Sequence, residues 1–334
     1  MSLDMPKLKE QKRTKKLIVP QTPFTESHLF GADEFGWLID VSKSKPNAAS
    51  WLAQNKALIN TRLNEKGAVL IRGTAFDGIP DFDDFICEVG EKLSYEYRST
   101  PRSELKGRVY TSTNYPASEW IPLHNENAYS AVYPNKVIFG CQQAPETGGS
   151  TTLADSNRIF ELLPEQVREK FQRFGVKYVR NMGMGFDLHW HEVFQTQDKD
   201  KVAQICSAMG INFTWNGEML RTEQTLPAAK IHPVSKLNIW FNQAHLFHYS
   251  SIPQDIAEEL ISAFGEEALP RNAYYGDGSP LEVDVLDTIN QTYEQCLKAF
   301  PWQKGDLLVV DNLRVAHGRQ PFTGERTILT GMTL

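Results

Sequence analysis

Apolar residues at three-to-four spacing, Trp51, Leu52, Ile59 and Leu63, predict a helix with one buried face over residues 47–64. The run from Gly67 to Gly73 encloses Ala-Val-Leu-Ile-Arg and reads as a buried strand. Helix followed by strand suggests an α/β-like opening. Lys136 to Cys141 is a further strand candidate, closed by the turn-rich residues 144–149. Asp155 and Ser156 are suited to cap a helix whose buried face is Ile159, Phe160 and Leu163, until Pro164 interrupts it. Ile256, Leu260, Ile261 and Phe264 predict a helix over 255–264. Leu286, Ile289, Tyr293, Leu297 and Phe300 predict another over 285–300. Strand character returns at 307–310 and 327–332. Between about 178 and 230 the chain is rich in Gly, Asn, Gln and aromatics with weak periodicity, the pattern of a long lid-like excursion covering a site. Strands near both ends of the second half with helices between them suit a distorted jelly roll better than a doubly wound parallel sheet. With no internal repeat or Gly/Ser linker, the expectation is one domain over 23–334 behind a basic, flexible tail over 1–22.

At 334 residues and 41% hydrophobic, the chain has enough apolar mass for a large core, which excludes wholesale disorder. The net charge of −6 provides no field to attract a phosphate backbone, so no nucleic-acid partner is expected. Cys87, Cys141, Cys206 and Cys296 are widely spaced and form no CxxC pair, which fits a reducing cytoplasm. The basic residues Lys7 to Lys16 precede only Leu17-Ile18-Val19, too short for a signal core or a membrane span.

Chemistry enters at Leu123-His124-Asn125-Glu126-Asn127. Residues two apart on extended backbone project to one side, so His124 and Glu126 can reach one ion. Two ligands bind weakly, and oxygen-activating Fe(II) sites use two His and one carboxylate on one face of an octahedron. His317, in Asp311-Asn312-Leu313-Arg314-Val315-Ala316-His317, is the candidate for the third position. Nine residues later comes Arg326. Two antiparallel strands with a short connection would bring His317 and Arg326 into one pocket, at the reach of a five-carbon diacid chelating the metal. The planar guanidinium suits the far carboxylate better than Lys would. His189-Trp190-His191-Glu192 is read as packing and surface and left out of the metal set.

Taken in order, Gly67 to Gly73, His124 to Glu126, Gly148-Gly149-Ser150-Thr151, Trp240-Phe241-Asn242-Gln243 and Lys304 through Arg326 resemble the taurine dioxygenase-like family of Fe(II)/2-oxoglutarate oxygenases, which includes γ-butyrobetaine hydroxylase and clavaminate synthase. The resemblance implies a double-stranded β-helix, or jelly roll, flanked by helices. It also implies His124, Glu126 and His317 as iron ligands, and Thr151 and Arg326 as the pair that binds the distal carboxylate of 2-oxoglutarate. Glu126 stands where Asp is commoner, as in the clavaminate synthase branch. Halogenases of the group lack this carboxylate, so its presence favours hydroxylation. Thr330 stands where the taurine enzyme has a substrate-binding Arg, which disfavours a sulfonate.

The stretch from His124 to Asp155 resembles the syringomycin-type hydroxylases of antibiotic biosynthesis. That implies an amino-acid-like small molecule, free or carrier-tethered, oxidised with O₂ and released beside succinate and CO₂. Arg221, Asn242, His245 and His248 lie in or just after the lid-like region and are candidate substrate contacts. Three alternatives stay open: desaturation, epoxidation or cyclisation in place of hydroxylation, a metal-dependent hydrolase using the same ligands, and a jelly-roll binding protein without chemistry.

Overall fold

The computed structural model describes residues 23–93, 104–106, 109–111 and 115–334; the expected basic tail over 1–22 lies outside the described residues. The chain is mainly β with helices packed outside. Its largest sheet has eight strands, in the order Thr25–His28, Trp37–Asp40, Ala68–Arg72, Leu307–Asp311, Lys136–Gln143, Thr327–Thr333, Val109–Thr111 and Glu104–Lys106. A smaller sheet runs Lys298–Phe300, Thr151–Asp155, Val315–Arg319 and Ile121–His124. The two face each other as an open jelly roll.

The central strands Ala68–Arg72 and Leu307–Asp311 are apolar at all but their last position because both faces are covered. Leu307 and Val309 pack on the outer helices with Val69 and Ile71, while Leu308 and Val310 turn into the sandwich with Ala68 and Leu70. The helix Ala48–Lys66 is capped by Asn47, whose side chain accepts from the Ser50 amide at 3.0 Å. It connects Trp37–Asp40 to its parallel neighbour Ala68–Arg72, the α/β-like opening expected from the pattern. The cap at Asp155 also forms, accepting from the Asn157 amide at 2.8 Å.

Three expectations change. The helix expected over 285–300 ends at Cys296, and Lys298–Phe300 becomes an edge strand of the small sheet paired with residues 151–153. Phe300 is buried in the sandwich, and Pro301 follows it, so continuing the helix would have cost that burial. His317 and Arg326 are not on paired strands: Val315–Arg319 belongs to the small sheet, and Thr327–Thr333 to the large one. Residues 178–230 are not an irregular excursion. Val176–Met182, Asn212–Asn216 and Met219–Leu226 form, with Arg271–Tyr275, a four-stranded antiparallel sheet, joined by the helices Trp190–Val193 and Lys199–Met209. Tyr178, Trp190, Phe194, Leu220 and Tyr275 pack in a core that this insertion shares with Leu123, Ala154 and Ala316 of the small sheet. Among the described residues, no helix is long and apolar enough to cross a membrane.

Candidate metal centre

The strand Ile121–His124 carries His124 as its last residue, directly opposite His317 in the antiparallel register. Gly318 permits this approach, since a Cβ there would stand 2.5 Å from the Ile121 carbonyl oxygen. The two imidazole rings lie 4.6 Å apart, centroid to centroid. Glu126 sits in the turn beyond the strand, where Asn127 adopts a left-handed φ of 56° and bends the chain back. Its Oε2 lies 3.6 Å from His317 Nε2. One ligand atom from each of His124, Glu126 and His317 falls within 4.8 Å of the other two. Glu126 and His317 are buried, and Phe139 packs edge-on to the His317 ring at 5.2 Å.

His124 Nδ1 is 2.8 Å from the Pro122 carbonyl, so it carries the hydrogen and the ring's lone pair is on Nε2. Two imidazoles and one carboxylate, with one face unfilled by protein, form the donor set of a non-haem Fe(II) site. His317 Nδ1 is buried with no hydrogen-bond partner among the described residues. The residues present therefore fit a divalent transition metal.

Arg326, Thr151 and Thr330 line the cavity that His124 and His317 enter. The Arg326 Nε donates to the Gly149 carbonyl at 3.1 Å. Gly149 has a φ of +64°, and a Cβ would approach Pro145 Cγ to 2.7 Å, so the turn that offers this carbonyl needs glycine. Among the described residues no carboxylate pairs with Arg326. Burial, and then the charge of Arg319, push its pKa down to about 10. It remains a cation at neutral pH, desolvated and uncompensated, which is an environment that favours an anion. Thr151 accepts from Trp302 Nε1 at 2.9 Å, which leaves its hydroxyl hydrogen free to donate.

Of the four candidate substrate contacts, only His245 opens onto space beside the cavity that His124 and His317 enter. It lines a cleft of about 550 Å³ with Trp120, Leu123 and Tyr293, and that cleft shares Ile121 with the metal cavity. Its Nε2 lies 3.2 Å from the Leu123 carbonyl, and burial lowers its pKa to about 4, so it is neutral. Arg221 lines a different groove, ion-paired with Glu223 at 2.9 Å and donating to Glu267 O at 2.6 Å. Asn242 donates to Ala228 O and accepts from the Ala244 amide. His248 Nδ1 accepts from the Ser250 amide and caps a short turn. His189 likewise caps Trp190–Val193, and His189, His191 and Glu192 form no metal cluster among the described residues.

Sequence reasoning missed Asn312, Arg319 and Trp302. Arg319 is buried and donates to the carbonyls of Pro116 at 2.6 Å and Glu119 at 2.9 Å, anchoring the segment that leads into the His124 strand. Asn312 stood in plain view beside the strand 307–310, but an Asn in a turn carries no signal of which backbone it grips.

The sequence matches the taurine catabolism dioxygenase TauD, TfdA family over residues 21–333. The chain belongs to this dioxygenase family. Among its relatives, the dapdiamide synthesis protein DdaC of Enterobacter agglomerans is 40% identical, over 81% of this chain and 83% of that protein. A clavaminate synthase-like protein of Arabidopsis thaliana is 28% identical, over 95% and 99%. Among solved structures, PvcB from Pseudomonas aeruginosa aligns with a TM-score of 0.57 at 17% identity, covering 96% of this chain and 94% of PvcB. A taurine dioxygenase from Burkholderia xenovorans aligns at 0.52 and 14%, over 94% and 89%. These likenesses agree with the open jelly roll described above.

Proposed function

We propose that this chain is an Fe(II)- and 2-oxoglutarate-dependent dioxygenase. Its proposed reaction is hydroxylation of an unactivated C–H bond in an amino acid or amino-acid derivative, free or carried on a carrier protein, in secondary-metabolite biosynthesis. One observation carries the reading: His124, Glu126 and His317 converge within 4.8 Å, and the two imidazoles line a cavity with Arg326, which has no carboxylate partner among the described residues. A hydrolytic metal site has no use for a buried cation at that position; a keto diacid does.

In this reading His124, Glu126 and His317 hold the metal. Arg326 and the Thr151 hydroxyl would hold the far carboxylate of 2-oxoglutarate. The bound metal and keto acid supply the oxidising power to break an unactivated C–H bond, with O₂ and 2-oxoglutarate consumed and succinate and CO₂ released. The protein's part is positioning. The Pro122 carbonyl fixes the His124 tautomer, and Phe139 and Ile328 present apolar walls that keep water from the reacting centre. The substrate occupies the cleft beside Ile121, where neutral His245 and Tyr293 lie.

The dapdiamide synthesis relative supports the biosynthetic setting, and four free cysteines suit a reducing cytoplasm. A second reading, desaturation, is favoured by similarity to the tyrosine isonitrile desaturase of Erwinia amylovora, 21% identical over 76% of this chain. The two outcomes share every protein residue named above and diverge in the product.

The test is a screen of amino acids, free and loaded on carrier proteins, for substrate-stimulated succinate formation, with product mass read in parallel. Succinate release that requires Fe(II), O₂ and 2-oxoglutarate together supports the class. A gain of sixteen mass units marks hydroxylation and a loss of two marks desaturation. Turnover indifferent to O₂ and 2-oxoglutarate would return the cluster to hydrolysis.

A further inference from the structure

Asn312 is fully buried, and its side-chain amide makes three hydrogen bonds to the backbone of Glu126 and Pro134, two of them to Glu126. Its Oδ1 accepts from the Glu126 amide at 2.7 Å. Its Nδ2 donates to the Glu126 carbonyl at 2.9 Å and to the Pro134 carbonyl at 2.9 Å. One planar group thus fixes the peptides on both sides of the Glu126 Cα, and so the direction in which the carboxylate leaves the backbone.

The grip is reciprocal. Asn125 Nδ2 donates to the Asn312 carbonyl at 2.7 Å and to Ser156 Oγ at 3.1 Å, while Gln243 Nε2 donates to the Asn125 carbonyl at 2.7 Å. Asn312 also lies five residues before His317, in the turn that feeds the His317 strand. The two segments that bring the carboxylate and the second imidazole together are therefore joined by a pair of asparagines, Asn125 binding the Asn312 carbonyl and Asn312 binding the Glu126 backbone.

The geometry points to Asn312 as the positioning residue for the Glu126 carboxylate, acting on metal affinity chiefly through Glu126. This rests on reading His124, Glu126 and His317 as a metal site. Asn is specific here: Asp keeps the acceptor for the Glu126 amide but turns a second oxygen toward two carbonyls, and Ala leaves three buried backbone groups unpaired.

The test is anaerobic Co(II) titration of the full-length protein, followed by the ligand-field absorption of the bound ion, with Asn312→Ala made in the wild-type and Glu126→Ala backgrounds. Loss of a group that orients a metal ligand lowers affinity by roughly 10- to 100-fold, and that is the loss expected in the wild-type background. In the Glu126→Ala background the same change should cost less than about threefold, because the ligand it orients is gone. Equal losses in both backgrounds, or no loss in either, would overturn the proposal. Should Asn312→Ala fail to fold, as judged by circular dichroism of the metal-free protein, Asn312→Asp carries the same comparison with the same expected pattern. If Glu126→Ala alone binds Co(II) as the wild type does, the metal reading of the cluster falls first. If Glu126→Ala weakens binding and the Asn312 variants do not, only the role of Asn312 falls.

Discussion

His317 and Arg326 reach one cavity from opposite sheets. His317 lies within Val315–Arg319 of the small sheet, and Arg326 stands at the head of Thr327–Thr333 in the large one. Their separation is set by the thickness of the sandwich, about 10 Å between packed sheets, and not by the nine residues of chain between them. His124, His317 and Thr151 thus come from the small sheet, and Arg326 faces them from the large one. Arg326→Met is expected to raise the KM for 2-oxoglutarate by about 10- to 100-fold, the scale of losing charge-assisted hydrogen bonds. Co(II) affinity in the absence of the keto acid should stay within about threefold of wild type, since both imidazoles and Glu126 remain. A matching loss in metal affinity would mean the two ends are one structural unit.

Thr151 differs from Arg326 in bringing no charge. Its oxygen already accepts from Trp302, so only its hydroxyl hydrogen is available to a ligand. Thr151→Val should raise the KM for 2-oxoglutarate by about fivefold, the scale of one neutral hydrogen bond, with kcat nearly unchanged. Trp302→Phe, which frees the hydroxyl to rotate, should give a smaller rise in the same direction. Steady-state kinetics at saturating substrate separates the two parameters. A fall in kcat with unchanged KM for Thr151→Val would remove this residue from the cosubstrate site.

The elements that announced themselves share one property: their buried positions are apolar. Leu307 to Val310, Ala68 to Ile71 and the Trp51–Leu63 face were legible because every inward side chain is hydrophobic. Met219–Leu226 alternates just as regularly, yet its buried positions are Leu220, Thr222 and Gln224. Gln224 satisfies its amide by donating to the Met209 carbonyl at 2.6 Å, so a polar residue fills a core position and the period-two signal vanishes. The cluster of His124, Glu126 and His317 was legible because metal-binding chemistry constrains residue type. The pairing of His317 with Arg326 was inferred from chain proximity, but it arises from the meeting of two sheets, which local sequence does not encode. Asn312, which works through backbone groups, left no trace in residue type at all.

Arg221 offers a test of that same limit. As a lone arginine in a region expected to cover the site, it was a natural anion contact; in the fold its guanidinium is committed to Glu223, Asn181 and the Glu267 carbonyl. Arg221→Ala should therefore leave kcat and both KM values within about twofold of wild type while lowering Tm. The loss of three polar contacts on a partly exposed side chain is worth on the order of 1 kcal/mol. A selective rise in substrate KM, with Tm unchanged, would put Arg221 back at the substrate.

His245 and His248 tie stability to pH. Burial pushes both imidazoles down to about 4, with a weak opposing pull on His248 from Glu266. In the unfolded chain each takes up its proton near pH 6.5, so between about 4 and 6.5 the unfolded state binds more protons than the folded one. Stability contributed by keeping these rings neutral is complete above about pH 6.5 and falls as the pH drops through that window. For His245, which is enclosed and stacked on Tyr293 at 4.6 Å, the depressed value corresponds to on the order of 3 kcal/mol across the window. His245→Phe keeps the ring and the stacking, loses the bond to the Leu123 carbonyl, and removes the proton linkage. In urea unfolding of the metal-free protein it should be less stable than wild type at pH 7.5, and the gap should narrow or reverse by pH 5. A gap that stays constant across these pH values would show that His245 takes up its proton in the fold as readily as in the unfolded chain, so that burial does not hold the ring neutral below pH 6.5.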